Sequence, residues 1–296
     1  MGRKVRNSDT GANNTMKIAI TGASGFIGRH LLPLLIQNGH EVIAVVRDAK
    51  KVADLNINCR IVEYEINNES ADAFTAFDKP DALLHLAWGG LPDYKSSHHI
   101  DTELPMHYKF IKLMIESGLK QVAVIGTCFE YGMQSGELCE ELETRANNSY
   151  GYAKDALRKQ LQFLQSEHNF NLTWMRLFYV YGEDQPDNTL YSQLRLAASR
   201  REAIFNMSSG EQLRDYLHIN DVVQKIAKLV CMNKNVGIVN VCSGIPISVR
   251  RLVERWIKEN EWSIKLNLGY YPYPDYEPLA FWGKSNKLNE IIKLGI

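Results

Sequence analysis

Short apolar runs alternate with longer amphipathic stretches along most of the chain. The strand-like run KIAI begins at Lys17 and is followed by the glycine-rich segment TGASGFIG and by apolar positions of helical spacing as far as Gln37. A turn at Asn38 and Gly39 then leads into the apolar run EVIAVV. This order of strand, glycine turn, helix and strand predicts one βαβ unit.

The alternation continues through the first part of the chain. Apolar runs at CRIVEY, DALLHLAW, QVAVIGT and LTWMRLFYV are separated by longer helical patterns, which is typical of a doubly wound parallel sheet. We therefore predict an α/β fold with a Rossmann domain over 16–175. The less regular stretch 176–296 is predicted to be mainly a smaller C-terminal substrate-binding lobe, with some segments returning to the Rossmann domain. The polar segment 1–15 is predicted to be a flexible extension.

Composition narrows the partners of such a fold. Thirty-four basic and 34 acidic residues give a formal net charge of zero, so no charge excess is available to hold a nucleic acid or an anionic membrane surface. No apolar run approaches the roughly 18 residues that a membrane span requires. The five cysteines are scattered without CxxC spacing, which argues against a disulfide framework or a zinc site and favours a cytoplasmic location. No metal is expected.

The glycines of TGASGFIG predict a dinucleotide site. Gly22, Gly25 and Gly28 lie between the first strand and the first helix, where glycine permits a tight turn and a close approach of the backbone to a pyrophosphate. The helix N-terminus that follows presents its partial positive charge to the phosphates. The alternative interpretation is an ordinary strand-to-helix turn.

The end of the second strand bears on the choice of cofactor. Val46 stands where an acidic residue would bind the adenosine ribose, and Arg47 follows it. A guanidinium there suits the 2′-phosphate of NADP, so NADP(H) is preferred. NAD(H) is the alternative, because Arg47 could be a solvated charge and Asp48 could serve the ribose. Glu65 and Ile66, at the end of the third strand, are candidates to flank the adenine, although Glu65 could equally lie on the surface.

Tyr150 and Lys154 form the candidate catalytic pair. They lie four residues apart in SYGYAK, which places both on one face of a helix. The ammonium beside the phenol would lower the tyrosine pKa from about 10 and make it an acid or base near neutrality. Thr127 follows the strand QVAVIG at the carboxyl edge of the sheet, where its hydroxyl can bind a substrate carbonyl oxygen together with Tyr150. A surface helix with a solvated lysine is the alternative.

A family resemblance rests on seven segments in order: TGASGFIG, HLAW, GTCFEYG, YGYAK, MRLFYVYG, RDYLHINDV and NVCSG. They resemble the motif series of the extended short-chain dehydrogenase/reductases, the NAD-dependent epimerase/dehydratase family, and the resemblance covers nearly everything from Met16 onward. It implies that Thr127, Tyr150 and Lys154 are a catalytic triad in which Lys154 also holds the nicotinamide ribose. Together with the residues inferred above, the candidate cofactor contacts are Gly22, Ser24, Gly25, Phe26, Ile27, Gly28, Arg47, Glu65, Ile66, Leu86, Ala87, Tyr150 and Lys154.

The same resemblance implies a nucleotide-linked sugar as substrate. It implies that Arg214 of RDYLHINDV binds the substrate's diphosphate, although an ion pair with Asp215 or Asp221 is an alternative. Tyr179 replaces the usual Asn of the motif R-x-x-N-x-Y-G, which changes the contacts available to the sugar. The candidate substrate contacts are Trp88, Cys128, Phe129, Glu130, Tyr179 and Arg214.

The predicted reaction is a reduction. Cys128 and Phe129 stand where the family's 4,6-dehydratases have an Asp-Glu pair, which disfavours dehydration. GTCFEYG is similar to the nucleotide-linked 4-keto-6-deoxyhexose reductases, and Arg47 favours an enzyme that consumes NADPH. We predict NADPH-dependent reduction of the C4 ketone of such a sugar in surface-polysaccharide biosynthesis. The alternatives are a nucleotide-sugar 4-epimerase with retained NAD and a non-catalytic NADPH-binding regulatory protein, against which the complete triad argues.

A homodimer is also predicted. In the family, the helices that correspond to the segment around Ile100 to Ile115 and to the helix carrying Tyr150 pair as a two-fold four-helix interface. Apolar content beyond one stripe favours this assembly, whereas the alternative is that both faces only cover the sheet. The residues concerned are Leu104, Met106, Phe110, Leu157, Leu161 and Leu164.

Overall fold

A seven-stranded parallel sheet forms the centre of the fold. The computed structural model describes residues 15–68 and 72–294, so residues 1–14 of the predicted extension lie outside the described residues. The described strands are β1 (Lys17–Thr21), β2 (Glu41–Val46), β3 (Arg60–Glu63), β4 (Ala82–His85), β5 (Gln121–Thr127), β6 (Gly136–Leu138), β7 (Asn171–Leu177), β8 (Tyr179–Tyr181), β9 (Ile204–Asn206), β10 (Leu213–Arg214), β11 (Tyr216–His218), β12 (Gly237–Val241), β13 (Ile247–Ser248), β14 (Lys265–Asn267) and β15 (Phe281–Gly283). The described α-helices are α1 (Phe26–Gln37), α2 (Ala73–Ala76), α3 (Leu104–Glu116), α4 (Ser149–Glu167), α5 (Leu190–Ser199), α6 (Ile219–Val230), α7 (Val249–Glu259) and α8 (Asn286–Leu294).

The strand order of the sheet is β12-β7-β5-β4-β1-β2-β3, and each neighbouring pair is parallel. The chain runs outward from β1 to β3 and then returns to β4 on the other side of β1. Ligands of open α/β sheets bind outside the carboxyl ends of the strands at such a reversal. The predicted doubly wound fold is confirmed, and its ligand edge lies at the ends of β1, β4 and β5.

Helices cover both faces of the sheet and bury its apolar residues in two cores. One core contains Leu31 and Leu35 of α1 with Ile226 of α6. The other contains Phe110 of α3 and Leu161 of α4. Because the central strands are covered on both sides, they appear in the sequence as nearly continuous apolar runs instead of alternating ones.

The last sheet strand comes from the C-terminal part of the chain. β7 continues to Leu177, past the boundary predicted at 175, and β12 pairs with it in register from Gly237 opposite Thr173. A further apolar core, with Leu194, Phe205 and Trp256, joins α5 and α7 to the β9–β14 pair. The C-terminal residues therefore contribute both a sheet strand and a core of their own.

The described residues add three observations on the predicted partners. None of their helices is both long and apolar enough to cross a membrane. All five cysteines are free. No group of three or more His, Cys, Asp or Glu side chains in this part of the chain is arranged to hold a metal ion.

Candidate active site

The glycine-rich turn between β1 and α1 has the close contacts of a phosphate-binding turn. Gly22 has a φ of +70°, and a Cβ there would lie 2.7 Å from the backbone nitrogen of Ala87. A Cβ on Gly28 would lie 2.5 Å from the carbonyl oxygen of Ala23, so both positions require glycine. Gly25 begins α1 without a side-chain cap and without an acidic residue in the first turn. The free amides at this helix end fit the pyrophosphate of a dinucleotide.

A cleft of about 480 Å³ opens at the carboxyl edge of the sheet. This volume is in the usual range for small-molecule sites. The structure brings ten of the sequence-predicted residues to its walls: Phe26, Ile27, Leu86, Trp88, Thr127, Cys128, Phe129, Tyr150, Lys154 and Tyr179. The predicted triad and two residues of the glycine turn thus share one cleft.

A short helical turn after β5 orients Thr127. Thr127 caps the 3-10 helix Cys128–Tyr131 by accepting a hydrogen bond from the amide of Phe129 at 3.3 Å. Its own amide donates to Oε1 of Glu130 at 2.9 Å. These reciprocal bonds form a capping box. The box fixes Thr127 at the end of β5, where this residue lines the cleft.

Tyr150 lies in the first turn of α4. Asn148 caps this helix by accepting from the amide of Gly151 at 2.8 Å, and the Tyr150 amide donates to the carbonyl of Tyr94 at 3.0 Å. A Cβ on Gly151 would lie only 2.5 Å from the carbonyl oxygen of Phe129. Glycine therefore lets α4 approach the Thr127 turn closely, which brings the phenol and the hydroxyl to the same cleft.

Burial dominates the protonation of Tyr150. Removal from water raises the pKa of its phenol, while a hydrogen bond with Thr127 acts to lower it. The expected lowering of the Tyr150 pKa by Lys154 is wrong for this structure, because the effect of burial dominates. The phenol is therefore protonated at neutral pH and suited to donate a proton.

Lys154 is fully enclosed beneath the cleft. Its Nζ donates to the carbonyl oxygen of Ile125 at 2.9 Å and lies 4.0 Å from the ring centroid of Trp88, within the range of a cation–π contact. Burial lowers the pKa of Lys154 to about 7, and the negative charges of Glu130 and Glu103 oppose this shift. The amine is thus close to its titration point at neutral pH.

Trp88 is fixed by a set of buried histidines. Its ring stacks on His107 with centroids 4.6 Å apart, and its Nε1 donates to Nδ1 of His99 at 3.1 Å. His107 in turn bonds Glu103 at 2.9 Å and His85 at 2.8 Å. Trp88 was predicted to contact the substrate, and the structure places it both in the cleft and against Lys154.

Cys128 and Phe129 line the cleft beyond Thr127. Burial raises the pKa of the Cys128 thiol, with a further contribution from the charge of Glu277, so the thiol is neutral. Phe129 packs against Tyr94 with ring centroids 4.9 Å apart. Neither side chain supplies the ionised acid and base that an elimination needs.

Glu130 does not reach the cleft, so its predicted substrate contact is wrong. It is fully buried and accepts hydrogen bonds from Nε of Arg176 at 2.7 Å and from Nε1 of Trp174 at 2.9 Å. A buried arginine without a partner would be costly. Glu130 neutralises that charge and, through the cap described above, supports Thr127.

Arg214 is also absent from the cleft walls. Its Nε and Nη2 lie 2.9 and 2.7 Å from Oε2 of Glu277. Arg214 therefore forms an ion pair, as the alternative prediction had it, but its partner is Glu277 and not Asp215 or Asp221. Asp215 accepts instead from the amides of Ser243 and Gly244 at 2.7 and 2.8 Å. Arg214 has no direct opening onto a diphosphate in this arrangement.

The residues predicted to contact the adenosine do not line the cleft. Arg47 is exposed directly after β2, and the carboxylate of Asp48 accepts from the amide of Lys50 at 3.0 Å. The third strand ends before Glu65, which is exposed, whereas Ile66 packs against the core under α3. None of the four residues lines the cleft, and the contact of Arg47 with a 2′-phosphate stays a prediction.

Several cleft residues were not predicted from the sequence. They are mostly aromatic and come from separate segments, so no single spacing connects them. Two of them lie in the Pro- and Tyr-rich segment 270–278, to which no spacing in the sequence assigns a role. The main ones are Tyr94, Tyr181, Tyr216, Tyr276 and Glu277.

Comparison with known proteins finds relatives that match most of the chain. The chain is 32% identical over 270 residues to dTDP-6-deoxy-L-talose 4-dehydrogenase (NAD(+)) of Aggregatibacter actinomycetemcomitans, which covers 90% of this chain and 99% of that protein. It is 26% identical over 220 residues to CDP-abequose synthase of Yersinia pseudotuberculosis, covering 73% of each. The crystal structure of UDP-glucuronic acid 4-epimerase from Bacillus cereus in complex with UDP-glucuronic acid and NAD has the same fold, with a TM-score of 0.79, 21% identity, and coverage of 94% of this chain and 93% of that one.

The family assignment rests on the central part of the chain. The model of the NAD dependent epimerase/dehydratase family matches residues 18–242. This range includes the glycine turn, all three residues of the predicted triad and the last strand of the sheet. The chain belongs to the NAD dependent epimerase/dehydratase family.

Proposed function

We propose that this protein catalyses the NADPH-dependent reduction of the C4 ketone of a nucleotide-linked 4-keto-6-deoxyhexose. The observation that carries the proposal is the meeting of Thr127, protonated Tyr150 and Lys154 in one cleft with the glycine turn. The names of the two relatives above, a 6-deoxyhexose 4-dehydrogenase and a CDP-abequose synthase, support the same substrate class. We propose that the reaction takes place in the cytoplasm.

The chain's own groups handle the proton. When the cofactor is bound, its nicotinamide supplies the hydride to C4. The phenol of Tyr150 donates its proton to the oxygen that becomes the alcohol, and the Thr127 hydroxyl orients that oxygen. Such general acid catalysis contributes about 10²- to 10⁴-fold in rate. Lys154 would hold the nicotinamide ribose and return a proton to Tyr150 after each turnover, because its pKa of about 7 allows exchange near neutrality.

Reduction is favoured over dehydration by the residues that follow Thr127. A neutral thiol at Cys128 and an apolar ring at Phe129 provide no acid and base pair for elimination. A 4-epimerase with retained NAD is the second candidate, because a UDP-glucose 4-epimerase of Halalkalibacterium halodurans is 24% identical over 269 residues. Net consumption of reduced cofactor distinguishes the two reactions.

A substrate panel tests the proposal. The purified protein is incubated with NADPH and, separately, with UDP-, GDP-, CDP- and dTDP-linked 4-keto-6-deoxyhexoses, while NADPH oxidation and sugar products are followed. We expect one of these sugars to be reduced with one NADPH consumed per C4 alcohol formed. Interconversion of C4 epimers without net oxidation of NADPH would establish the epimerase instead, and no reaction with any member would overturn the proposed function.

The substitution Tyr150→Phe checks the acid role. We expect kcat to fall by about 10²- to 10⁴-fold because the donated proton is lost, while the Kd for NADPH stays unchanged. The control is Tyr152→Phe on the same helix, since Tyr152 is 54% exposed and faces away from the cleft. A Tyr150→Phe variant with nearly wild-type turnover would remove Tyr150 from the chemistry.

A further inference from the structure

Glu277 brings a carboxylate into the wall of the cleft. It belongs to the Pro- and Tyr-rich segment near the C-terminus, far along the chain from the triad, and its side chain is 8% exposed. Its charge helps to raise the pKa of Cys128, the residue directly after Thr127. Glu277 therefore lies near the part of the cleft where the reacting sugar would be bound.

The two oxygens of this carboxylate have different surroundings. Oε2 accepts from the Tyr179 hydroxyl at 2.5 Å and from Nε and Nη2 of Arg214 at 2.9 and 2.7 Å. Among the hydrogen bonds between described residues, none ends on Oε1. A carboxylate oxygen left without a donor in a confined site is a strong acceptor for a ligand hydroxyl.

Arg214 is committed to holding this carboxylate. Its Nη1 donates to the carbonyls of Leu213 and Leu279 at 2.8 and 3.1 Å, and its guanidinium lies 4.5 Å from the ring centroid of Phe281. The side chain is only 4% exposed. The guanidinium therefore has little capacity left to bind a diphosphate, which is the role that the family resemblance implied.

The charge of Glu277 also selects the part of the substrate that it can meet. An ionised carboxylate repels the diphosphate of a nucleotide-linked sugar and attracts hydroxyl donors. A site built to hydrogen-bond a substrate hydroxyl discriminates strongly against analogues that lack it. The sugar ring, not the phosphates, is the matching partner.

We propose that Glu277 is a specificity-determining residue whose Oε1 accepts a hydrogen bond from a hydroxyl of the substrate sugar. Arg214 is a positioning residue, which holds Glu277 through Oε2 with help from Tyr179. This inference rests on the proposed function in one respect, namely that the substrate is a nucleotide-linked sugar.

Paired binding measurements separate the sugar from the nucleotide. Calorimetry with four pairs (UDP and UDP-glucose, GDP and GDP-mannose, CDP and CDP-glucose, dTDP and dTDP-glucose) gives the change in Kd that the sugar contributes in each case. In Glu277→Gln we expect the Kd of the preferred nucleotide-sugar to rise about 10- to 100-fold, because a hydrogen bond to a charged group is lost. The Kd of the matching free nucleoside diphosphate stays within about twofold.

Two further variants protect the test against a folding defect. The double variant Arg214→Met with Glu277→Met removes both charges, so neither is left buried alone, and it is expected to lose affinity for the nucleotide-sugar only. Glu211→Gln is the control, since Glu211 is exposed on the same part of the chain. NADPH binding and the unfolding temperature of each variant report whether the fold is intact.

The outcomes distinguish the two proposals. If no pair binds the wild-type protein and the panel of 4-keto-6-deoxyhexoses also gives no reaction, the proposed function fails. If a nucleotide-sugar binds but Glu277→Gln leaves its affinity unchanged, the role of Glu277 is overturned while the proposed function stands. If the double variant loses affinity equally for the nucleotide-sugar and for the free nucleotide, the proposal is overturned, and Arg214 binds the diphosphate instead.

Discussion

Burial sets the protonation of Tyr150 and Lys154, the two titratable residues at the centre of the candidate active site. It raises the pKa of Tyr150 and lowers that of Lys154 to about 7 from its ordinary 10.5. Both shifts favour the neutral form. The folded enzyme thus lines one cleft with a proton donor and with an amine that exchanges protons near neutrality. The free energy of folding is less favourable because Lys154 is buried.

The cost at Lys154 depends on pH. Between pH 7 and 10.5 the unfolded chain binds a proton that the folded chain does not, so the free energy of unfolding rises with pH, by at most about 1.4 kcal/mol per unit from this group. Lys154→Met should lack that rise. Urea unfolding at pH 7, 8 and 9 measures it, with Lys159→Met, an exposed site on the same helix, as control. Parallel pH profiles for wild type and Lys154→Met would contradict the assigned shift.

Arg47 tests the choice of cofactor. If its exposed guanidinium meets the 2′-phosphate, Arg47→Asp should raise the Kd for NADPH about 10- to 100-fold more than the Kd for NADH, because a charge-assisted bond is replaced by repulsion. Fluorescence titration with each cofactor measures this difference, and Arg251→Asp, at an exposed position on α7, is the control. Equal changes for both cofactors would favour NAD(H), the cofactor in the name of the 32% identical relative.

Residues that act through local spacing were predictable, and residues that act through distant partners were not. Tyr150 and Lys154 lie one helical turn apart, so the sequence alone places them together. Arg214 and Glu277 are 63 positions apart, and no periodicity connects them. A charged residue in a family motif can therefore be identified while its partner, and hence its role, stays hidden.

At the scale of elements, the short helix after β5 connects the core to the active site. Glu130 completes the capping box of this helix by accepting from the amide of Thr127, and it also neutralises Arg176 of β7. The sequence predicted the strand and the position of Thr127 at its end. It could not show that the Glu130 side chain is buried, because the positive charge that this carboxylate neutralises belongs to Arg176 on a neighbouring strand.

Substitution of Glu130 should therefore weaken the fold and the chemistry together. Glu130→Gln leaves Arg176 buried without a counter-charge, and we expect a loss of about 3 kcal/mol in the free energy of unfolding. Urea unfolding measures this loss, and the exposed Glu143→Gln serves as control. Unchanged stability would mean that the buried pair is replaceable.

At the scale of the whole molecule, packing against the sheet buries only part of the apolar surface of α3 and α4. Of the six residues predicted to exceed one buried face, Phe110, Leu157, Leu161 and Leu164 are buried within the single chain, so the prediction is wrong for these four, whereas Leu104 and Met106 are half-buried. More exposed apolar residues that were not predicted are Tyr152 and Phe163 on one side of α4 and Leu113 on α3. We propose that these faces form the homodimer interface.

Phe163, which is 75% exposed, offers the test of that assembly. Light scattering at micromolar concentration should give about twice the chain mass of 33.8 kDa for the wild type. Phe163→Glu should give the mass of one chain, because a charge in an apolar interface is costly. The control is Ile245→Glu, at an equally exposed site that belongs to neither helix. A wild-type protein of one chain mass would contradict the dimer.

The position of Trp88 gives the active site an optical reporter. Its indole lies against the ammonium of Lys154 and is confined by His107 and His99, so its emission depends on the charge and occupancy of the catalytic centre. Deprotonation of Lys154 removes a cation from the ring, and a bound nicotinamide would change the polarity around it. The difference in emission between the wild type and Trp88→Phe, which keeps the other four of the five tryptophans, can therefore follow cofactor binding and proton exchange in real time, without any added label.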